Sequence, residues 1–382
     1  MSGHRMVVGF IPLLDCSTLV AAAECGFAAA EGIDLRLVRE SSWANIRDRL
    51  IVGQFDAAHM LGPMVIASTL GIGHLTVPMF APMALGLGGN AITVSNAVYA
   101  AMTREAALPA LDAAAAGAAL RTVARARLAA GAPLVLAMIY PFSAHNYELR
   151  YWLAASGIDP DQDVRLVVIP PPLLVDAMRA GQIDGFCVGE PWNSVAVAAG
   201  VGCIVTTATR IWPVSPEKVL GFKAGAPAAQ GPQLPALVRA VVRAALWCER
   251  PDNHEELAHL LSGPRYVGVP AELLLAVLRG ELRTRYGALP AAAPDFLRLA
   301  RGTATFPWPS HALWFYRQML RWGQLAASAG AAAAAVATYR SDLYRSAVQG
   351  LPVEVPQIDF KPERFFDGSR FEPEALHEKG AG

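Results

Sequence analysis

Between Met6 and Val188, short apolar runs alternate with segments whose apolar residues recur every three or four positions. The runs predict strands at Met6–Ile11, Asp34–Val38, Asp56–Met60, Leu134–Tyr140, Val164–Ile169 and Gly185–Val188. The recurring segments predict helices at Ser17–Ala30, Asn45–Val52, His145–Ala155 and Leu173–Ala180, the first stopped near Gly32 and the second closed by Gly53. Strands alternating with helices predict parallel sheets built from βαβ units and covered on both faces. From about residue 229 the pattern turns helical, with helices expected at Gln233–Glu249, Glu255–Ser262, Ala271–Glu281, Ala312–Ala327 and Ala331–Ser346. A Pro-rich tail beyond Leu351 should wrap the surface. The expectation is an α/β chain of two lobes with a helical C-terminal portion.

The length of 382 residues accommodates two lobes. Lys+Arg 32 balances Asp+Glu 32, so the chain carries no global electrostatic footprint for nucleic acid or an acidic membrane surface. With 54% hydrophobic and 17% charged residues it is not a disordered chain, and extensive burial is expected. Cys16, Cys25, Cys187, Cys203 and Cys248 form no CxxC pair, which fits a reduced, cytosolic setting. The stretch Ala57–Thr103 lacks Asp, Glu, Lys and Arg, but Pro63, Pro78, Pro82 and several glycines cut it into pieces too short to span a bilayer. Asp15 interrupts the apolar N-terminal run, which therefore reads as a buried first strand rather than an export signal.

Patterns that suggest catalysis fail on their context. Gly86-Leu-Gly-Gly-Asn-Ala91 matches a dinucleotide fingerprint on paper, but the β-branched Ile92-Thr-Val94 that follows continues as a strand where the fingerprint must open a helix. In His254-Glu-Glu-Leu-Ala-His259 the histidines are five apart, roughly 140° around a helix, so they cannot hold one metal from one face. No metal, cofactor or catalytic group is expected.

Three helix starts carry unusual polar residues. Ser42 is a good N-cap with Trp43 at the first helical position and Asn45 close behind; Ser143 caps a helix with His145 in its first turn; Pro191 suits the first turn after a strand in Gly189-Glu-Pro-Trp-Asn193. Helix N-termini leave backbone N–H groups unpaired and carry partial positive charge, so several converging starts make an anion site. Any one of these starts is better explained by capping alone.

The set, however, resembles the nitrate-binding protein family, which is periplasmic-binding-protein-like and related to bicarbonate-binding receptors. The resemblance runs from about Val7 to Phe371 and rests on SWANIRDRL (42–50), DAAHMLGPM (56–64), HNYELRYWLAASG (145–157), FCVGEPW (186–192), WPVSPEKVLGF (212–222) and SHALWFYRQMLRWGQL (310–325). It implies a type II periplasmic-binding-protein-like fold, two α/β lobes with a ligand cleft at the hinge. One lobe is expected from 1–92 plus 206–382 and the other from 93–205, with crossings near Asn90–Asn96 and Val205–Arg210. It also implies ligand-binding roles for Trp43, Asn90, His145, Pro191 and Lys218, with Ser42, Asn45, His59 and Glu190 as further cleft residues. A lysine at 218, where bicarbonate-binding relatives carry an acidic residue, favours nitrate or nitrite. Asn90 stands where the receptors carry a glutamine, and Ala44, Ser143 and Ala144 replace glycines.

Nitrate is planar, singly charged and weakly basic, so burying it takes several donors at once. Lys218 would supply charge, His145 and Asn90 directional donors, and Trp43 a flat wall. Similarity to the cytoplasmic members of the family implies a nitrate/nitrite sensor, with no enzymatic activity and no membrane span. Such a sensor holds an RNA-binding antitermination regulator and releases it when the anion binds. The alternative is the substrate-binding protein of an ABC transporter for nitrate, or for nitrite, cyanate or sulfonate.

Overall fold

The computed structural model describes residues 3–73 and 75–373. The end of the expected 206–382 segment, from residue 374 on and including Lys379, lies outside the described residues. Two five-stranded sheets organise the chain. The first takes β1 (His4–Phe10), β2 (Ile33–Arg39), β3 (Ala57–Leu61) and β4 (Met79–Ala84). The second takes β5 (Asn90–Ser95), β6 (Leu134–Met138), β7 (Val164–Val168), β8 (Gly185–Gly189) and β9 (Gly202–Thr207), after which the chain returns to the first sheet as β10 (Lys218–Lys223).

The strand orders are β2-β1-β3-β10-β4 and β9-β5-β8-β6-β7, so both lobes follow one plan. In each, three strands pair in parallel: β1 with β2 and β3, and β6 with β7 and β8. Of the other two strands in each sheet, the one that has just arrived from the other lobe, β10 or β5, lies inside the edge strand β4 or β9 and runs antiparallel to both its neighbours. The sheets are therefore mixed, where the βαβ rhythm predicted parallel ones. A strand entering directly from the other lobe has no helical crossover to reverse it. The chain passes between sheets at residues 85–89 and 208–217, so Asn90, Ala91 and Ile92 already belong to the second sheet.

Two expected helices are broken. Ser17–Ala30 divides into Ser17–Glu24 and Phe27–Ala30 because Gly26 takes φ +81, a left-handed value that ends a helix. Ala331–Ser346 divides into Ala331–Ala337 and Ser341–Ala347 because the intervening backbone is claimed by β4: Ala81 N–H donates to Thr338 O (2.8 Å) and Arg340 N–H to Ala81 O (2.9 Å). The helix expected at Ala312–Ala327 instead runs Pro309–Arg321, started by Pro309 in its first turn and stopped before Gly323 at φ +63.

Helix Ser17–Glu24 packs on Gln233–Cys248 over the core of Met6, Val8, Phe10 and Val241. Helix Pro309–Arg321 bridges the lobes, touching Gly62–Thr69 of the first and Ala144–Ala155 of the second. The tail then runs over the second crossing. Phe366 N–H donates to Ile211 O (2.9 Å), Trp212 Nε1–H to Glu363 Oε2 (3.1 Å), and Tyr151 on the second lobe bonds Asp367 at 3.1 Å. Phe365 packs against Tyr151, Trp212 and Trp314 at centroid distances of 4.7, 5.2 and 5.8 Å. Among the described residues no helix is long and apolar enough to cross a membrane.

Candidate functional site

Between the lobes, a cluster of polar side chains is buried almost completely. The first lobe contributes Asp15 from the turn after β1, Trp43 from the start of helix Trp43–Ile51, and His59 from β3, with Glu217 and Lys218 where β10 begins. The second contributes Asn90 from β5 and both His145 and Glu148 from helix Ala144–Ala155. The local sequence explains these placements. Ser42 accepts a hydrogen bond from Asn45 N–H (3.2 Å) and Ser143 from Asn146 N–H (3.1 Å), so each cap starts its helix where Trp43 and His145 fall in the first turn. His145 and Glu148 are three residues apart and share one helix face.

Lys218 is the hub. Its Nζ lies 2.9 Å from Asp15 Oδ2, contacts Glu217 Oε2, and stands 5.4 Å from the centre of the Trp43 ring, a cation–π distance. Asp15 Oδ1 faces His59 Nε2 at 3.1 Å, and Glu217 Oε1 faces His145 Nδ1 at 3.0 Å. Ile11 N–H donates to His59 Nδ1 (3.4 Å), which leaves the His59 proton on Nε2, toward Asp15. The Trp43 ring meets His59 edge-on at 5.4 Å. Glu148 accepts from Asn90 Nδ2 (3.2 Å) and from Ser215 Oγ.

Burial sets the protonation states. It pushes the Lys218 ammonium down, opposed by Asp15, and pushes both histidines down, with Lys218 adding to the effect on His145. Burial would raise Asp15, but the charges of Lys218 and His59 and their hydrogen bonds together outweigh it and hold this carboxyl well below its usual range. Glu148 is pushed up to about 7 by burial, against bonds from Ser215 and Asn90 and the charge of Lys218.

Several buried polar atoms have no aligned hydrogen-bond partner among the described residues: Trp43 Nε1, Asn90 Oδ1, both His145 nitrogens and Lys218 Nζ. Lys218 Nζ and His145 Nδ1 have carboxylates close by, whereas Trp43 Nε1 and His145 Nε2 face none, and leaving such a group bare costs about 1–3 kcal/mol, which an acceptor placed there would recover. Gly189 borders the same space: a Cβ there would stand 3.3 Å from Asn90 Oδ1 and 3.7 Å from Asp15 Oδ2.

Of the residues expected from sequence, Trp43, His59, Asn90, His145 and Lys218 meet in this cluster. Lys218 is not the free positive charge that was expected, since two carboxylates already oppose it. Ser42 is committed to its cap, and Asn45 is exposed with its amide bonded to Glu40 (3.2 Å), a consequence of lying on the solvent side of its helix. Pro191 is buried but, lacking an N–H, can only form a wall. Glu190 accepts from Ser194 N–H (3.1 Å), which turns one oxygen toward its own helix start, and its backbone oxygen accepts from Leu14 N–H (2.7 Å) across the lobes.

Sequence reasoning missed Asp15, Glu148, Ser215 and Glu217 as site residues. Signals existed for three of them: an acid inside the apolar run Leu13-Leu14-Asp15-Cys16, a glutamate one turn beyond His145, and a glutamate beside Lys218. Nothing in the local pattern around Ser215 marked it.

A second tie joins the lobes near the Trp43 helix. Arg47 Nη1–H donates to Tyr140 Oη at 2.6 Å, beside a cavity of about 130 Å³ lined by Arg47, Met64, Ser68, Tyr140 and Phe142.

Comparison with known proteins places this geometry. The sequence pattern of the NMT1-like family matches residues 3–262. The nitrate/nitrite binding protein NrtA of Synechococcus elongatus is 34% identical over 380 residues, covering 97% of this chain and 84% of that protein. The nitrate import ATP-binding protein NrtC of Synechocystis is 35% identical over 370 residues, covering 96% of this chain but 53% of that protein. The crystal structure of the periplasmic nitrate-binding protein NrtA from Synechocystis PCC 6803 superposes with a TM-score of 0.88 at 31% identity, covering 97% of this chain and 96% of that one. The chain belongs to the NMT1-like family and has the periplasmic-binding-protein fold of its nitrate-binding relatives.

Proposed function

We propose that the protein binds nitrate or nitrite between its lobes and serves as the substrate-binding protein of an ABC-type import system. The observation that carries this reading is the buried junction of Trp43, His145 and Lys218, drawn from both lobes of a nitrate-binding-protein fold. Each supplies N–H groups that an anion can accept from. A charge-assisted hydrogen bond contributes about 1.5–3 kcal/mol. Micromolar affinity needs about 8 kcal/mol, so several of these donors must close on the anion together. Lobe closure does that.

Calorimetric titration with nitrate, nitrite, bicarbonate and sulfate tests the reading. Nitrate or nitrite is expected to bind at roughly micromolar concentration, and Lys218→Ala to abolish the heat. Because that variant strands Asp15 and Glu217, Trp43→Phe provides a milder check. It keeps an aromatic wall but removes the indole N–H, and should weaken binding by roughly ten-fold, the equivalent of one hydrogen bond. Silence of the wild type toward both anions sinks the proposal.

One observation favours a second reading. A segment similar to nearly all of this chain forms about half of a protein named for ATP binding in nitrate import, so the same unit occurs joined to the ATP-binding part of an importer. Under this reading the unit would report the anion instead of delivering it, as would a cytoplasmic sensor that holds an RNA-binding antitermination regulator. Cell fractionation separates the readings: the transport role requires the protein outside the cytoplasmic membrane, and the sensor role requires it in the cytoplasm with a regulator that co-purifies only without nitrate.

A further inference from the structure

The cluster contains too many acids to welcome an anion as it stands. Asp15, Glu148 and Glu217 gather around Lys218, the one ammonium group among them, and Asp15 and Glu217 already oppose it directly. His59 and His145 do little to relieve the imbalance near neutral pH, because burial pushes both imidazoles below their ordinary range, and the charge by which His59 holds Asp15 down is one it carries only in acid. A further negative charge would go in uncompensated, and an uncompensated buried charge costs several kcal/mol.

We propose that the anion enters this site together with a proton from solvent, and that the carboxyl of Glu148 holds it. This rests on the anion-binding reading above. Glu148 lies where the second lobe meets the second crossing, held by Asn90 of β5 and by Ser215 of that crossing, with Lys218 of the first lobe in its field. Asn90 Oδ1 has no partner among the described residues, so an amide flip would let it accept the hydrogen of a protonated Glu148.

The titratable groups facing Glu148 are few. Lys218 is in its field from β10, with Glu217 and Asp15 behind it; Cys187 faces it from β8 with its thiol pushed well up by burial, hence neutral; His145 is three residues earlier on its own helix. Charged groups on the other helices packed against Glu148's helix are engaged elsewhere. Arg121 lies by Gly157, Arg317 bonds Glu372 O, Arg321 covers Tyr151, and His311 pairs with Glu363. Exposed Arg210, on the short helix after β9, is absent from the groups that shift Glu148. Glu190 is also pushed up to about 7 by burial, but only the Ser194 backbone and side-chain contacts oppose that push, and no charge of the cluster acts on it. Glu148 is thus the acid whose proton a new charge beside Lys218 would stabilise.

The test is titration of the full chain with sodium nitrate in phosphate and in Tris, whose different ionisation enthalpies report protons taken up. At pH about 8, uptake approaching one proton per nitrate is expected, falling toward none near pH 5.5, and affinity should drop about ten-fold per pH unit above neutrality. Glu148→Gln, which carries the neutral form's donor and acceptor, should bind with no proton uptake and a flat pH profile. Carboxyl infrared difference spectra of wild type provide a readout independent of the variant's folding: two acids, Glu148 and Glu190, are expected to titrate near neutrality, and one of them must shift upward with nitrate while the other stays. Nitrate binding with zero proton uptake at pH about 8 overturns the inference while leaving the anion reading intact, as does uptake unchanged in Glu148→Gln. Binding that needs added calcium in place of a proton also overturns it. No nitrate binding at any pH overturns both.

Discussion

At the scale of single residues, two buried carboxyls pull the stability of the protein in opposite directions with pH. Glu148 titrates in the folded chain at about 7, against 4.5 in an ordinary setting, because burial disfavours its charge. Between those values the folded state holds a proton that the unfolded state has lost, so stability falls as pH rises through this window. Asp15 is the reverse case: its lowered value adds stability that is present above the ordinary carboxylate range and lost on strong acidification. Glu148→Gln should therefore raise the melting midpoint relative to wild type at pH 8 but not at pH 4.5, by roughly 1–2 °C for each kcal/mol relieved in a chain of 382 residues. Scanning calorimetry at the two pH values checks this, and an equal gap at both would contradict it. The residues themselves were unequally legible. Trp43, His145 and Lys218 stood out because capped helix starts and ordered phrases marked them. The partners of Lys218 did not, because pairing Asp15 with a lysine some two hundred positions away leaves no trace in local periodicity.

At the scale of elements, the sequence announces where regular structure starts better than where it stops or which way it runs. The cap at Ser42 correctly places Trp43 at the head of its helix. Since the Ser42 hydroxyl is spent on that cap, Ser42→Ala should cost about 1 kcal/mol in denaturant unfolding. It should leave nitrate affinity within about two-fold, well under the 1.4 kcal/mol that a ten-fold change represents. A large affinity loss without a stability loss would instead make Ser42 a ligand contact. The breaks at Gly26 and Tyr339 were harder to foresee. Gly26 ends its helix through a backbone angle, while the segment around Tyr339 is drawn out of helix by β4, a tertiary claim that helical periodicity does not encode. Strand direction was likewise hidden: β5 and β10 have the apolar character of buried strands, and only the crossings make them antiparallel.

At the scale of the whole molecule, the cluster is also a set of ties between lobes. His145 faces Glu217, Glu148 bonds Ser215, Trp192 Nε1–H donates to Pro12 O (3.2 Å), and Arg47 reaches Tyr140. The last two involve no residue of the ligand cluster, and Arg47–Tyr140 joins two side chains, which makes it the cleaner probe of closure. Tyr140→Phe deletes the acceptor and leaves the ring, and loss of about 1 kcal/mol from the closed form should speed nitrate release about five-fold. Stopped-flow release kinetics would show this, with the association rate nearly unchanged; an unaltered release rate would mean that closure does not depend on the contact.

The tail across the second crossing gives that closure a direction. Residues 363–369 fasten Ile211 and Trp212 to Tyr151 of the second lobe, so one margin of the interlobe seam is stitched by the tail, while near Tyr140 the ties are side-chain hydrogen bonds: Arg47 to Tyr140 Oη, Tyr147 Oη–H to Gln324 Oε1, and Gln324 Nε2–H to Pro141 O. Such a molecule is expected to open as a book bound along its spine, the pages parting at the Arg47–Tyr140 edge while the tail keeps the binding intact. The anion's route in and out would then lie on the Arg47–Tyr140 side.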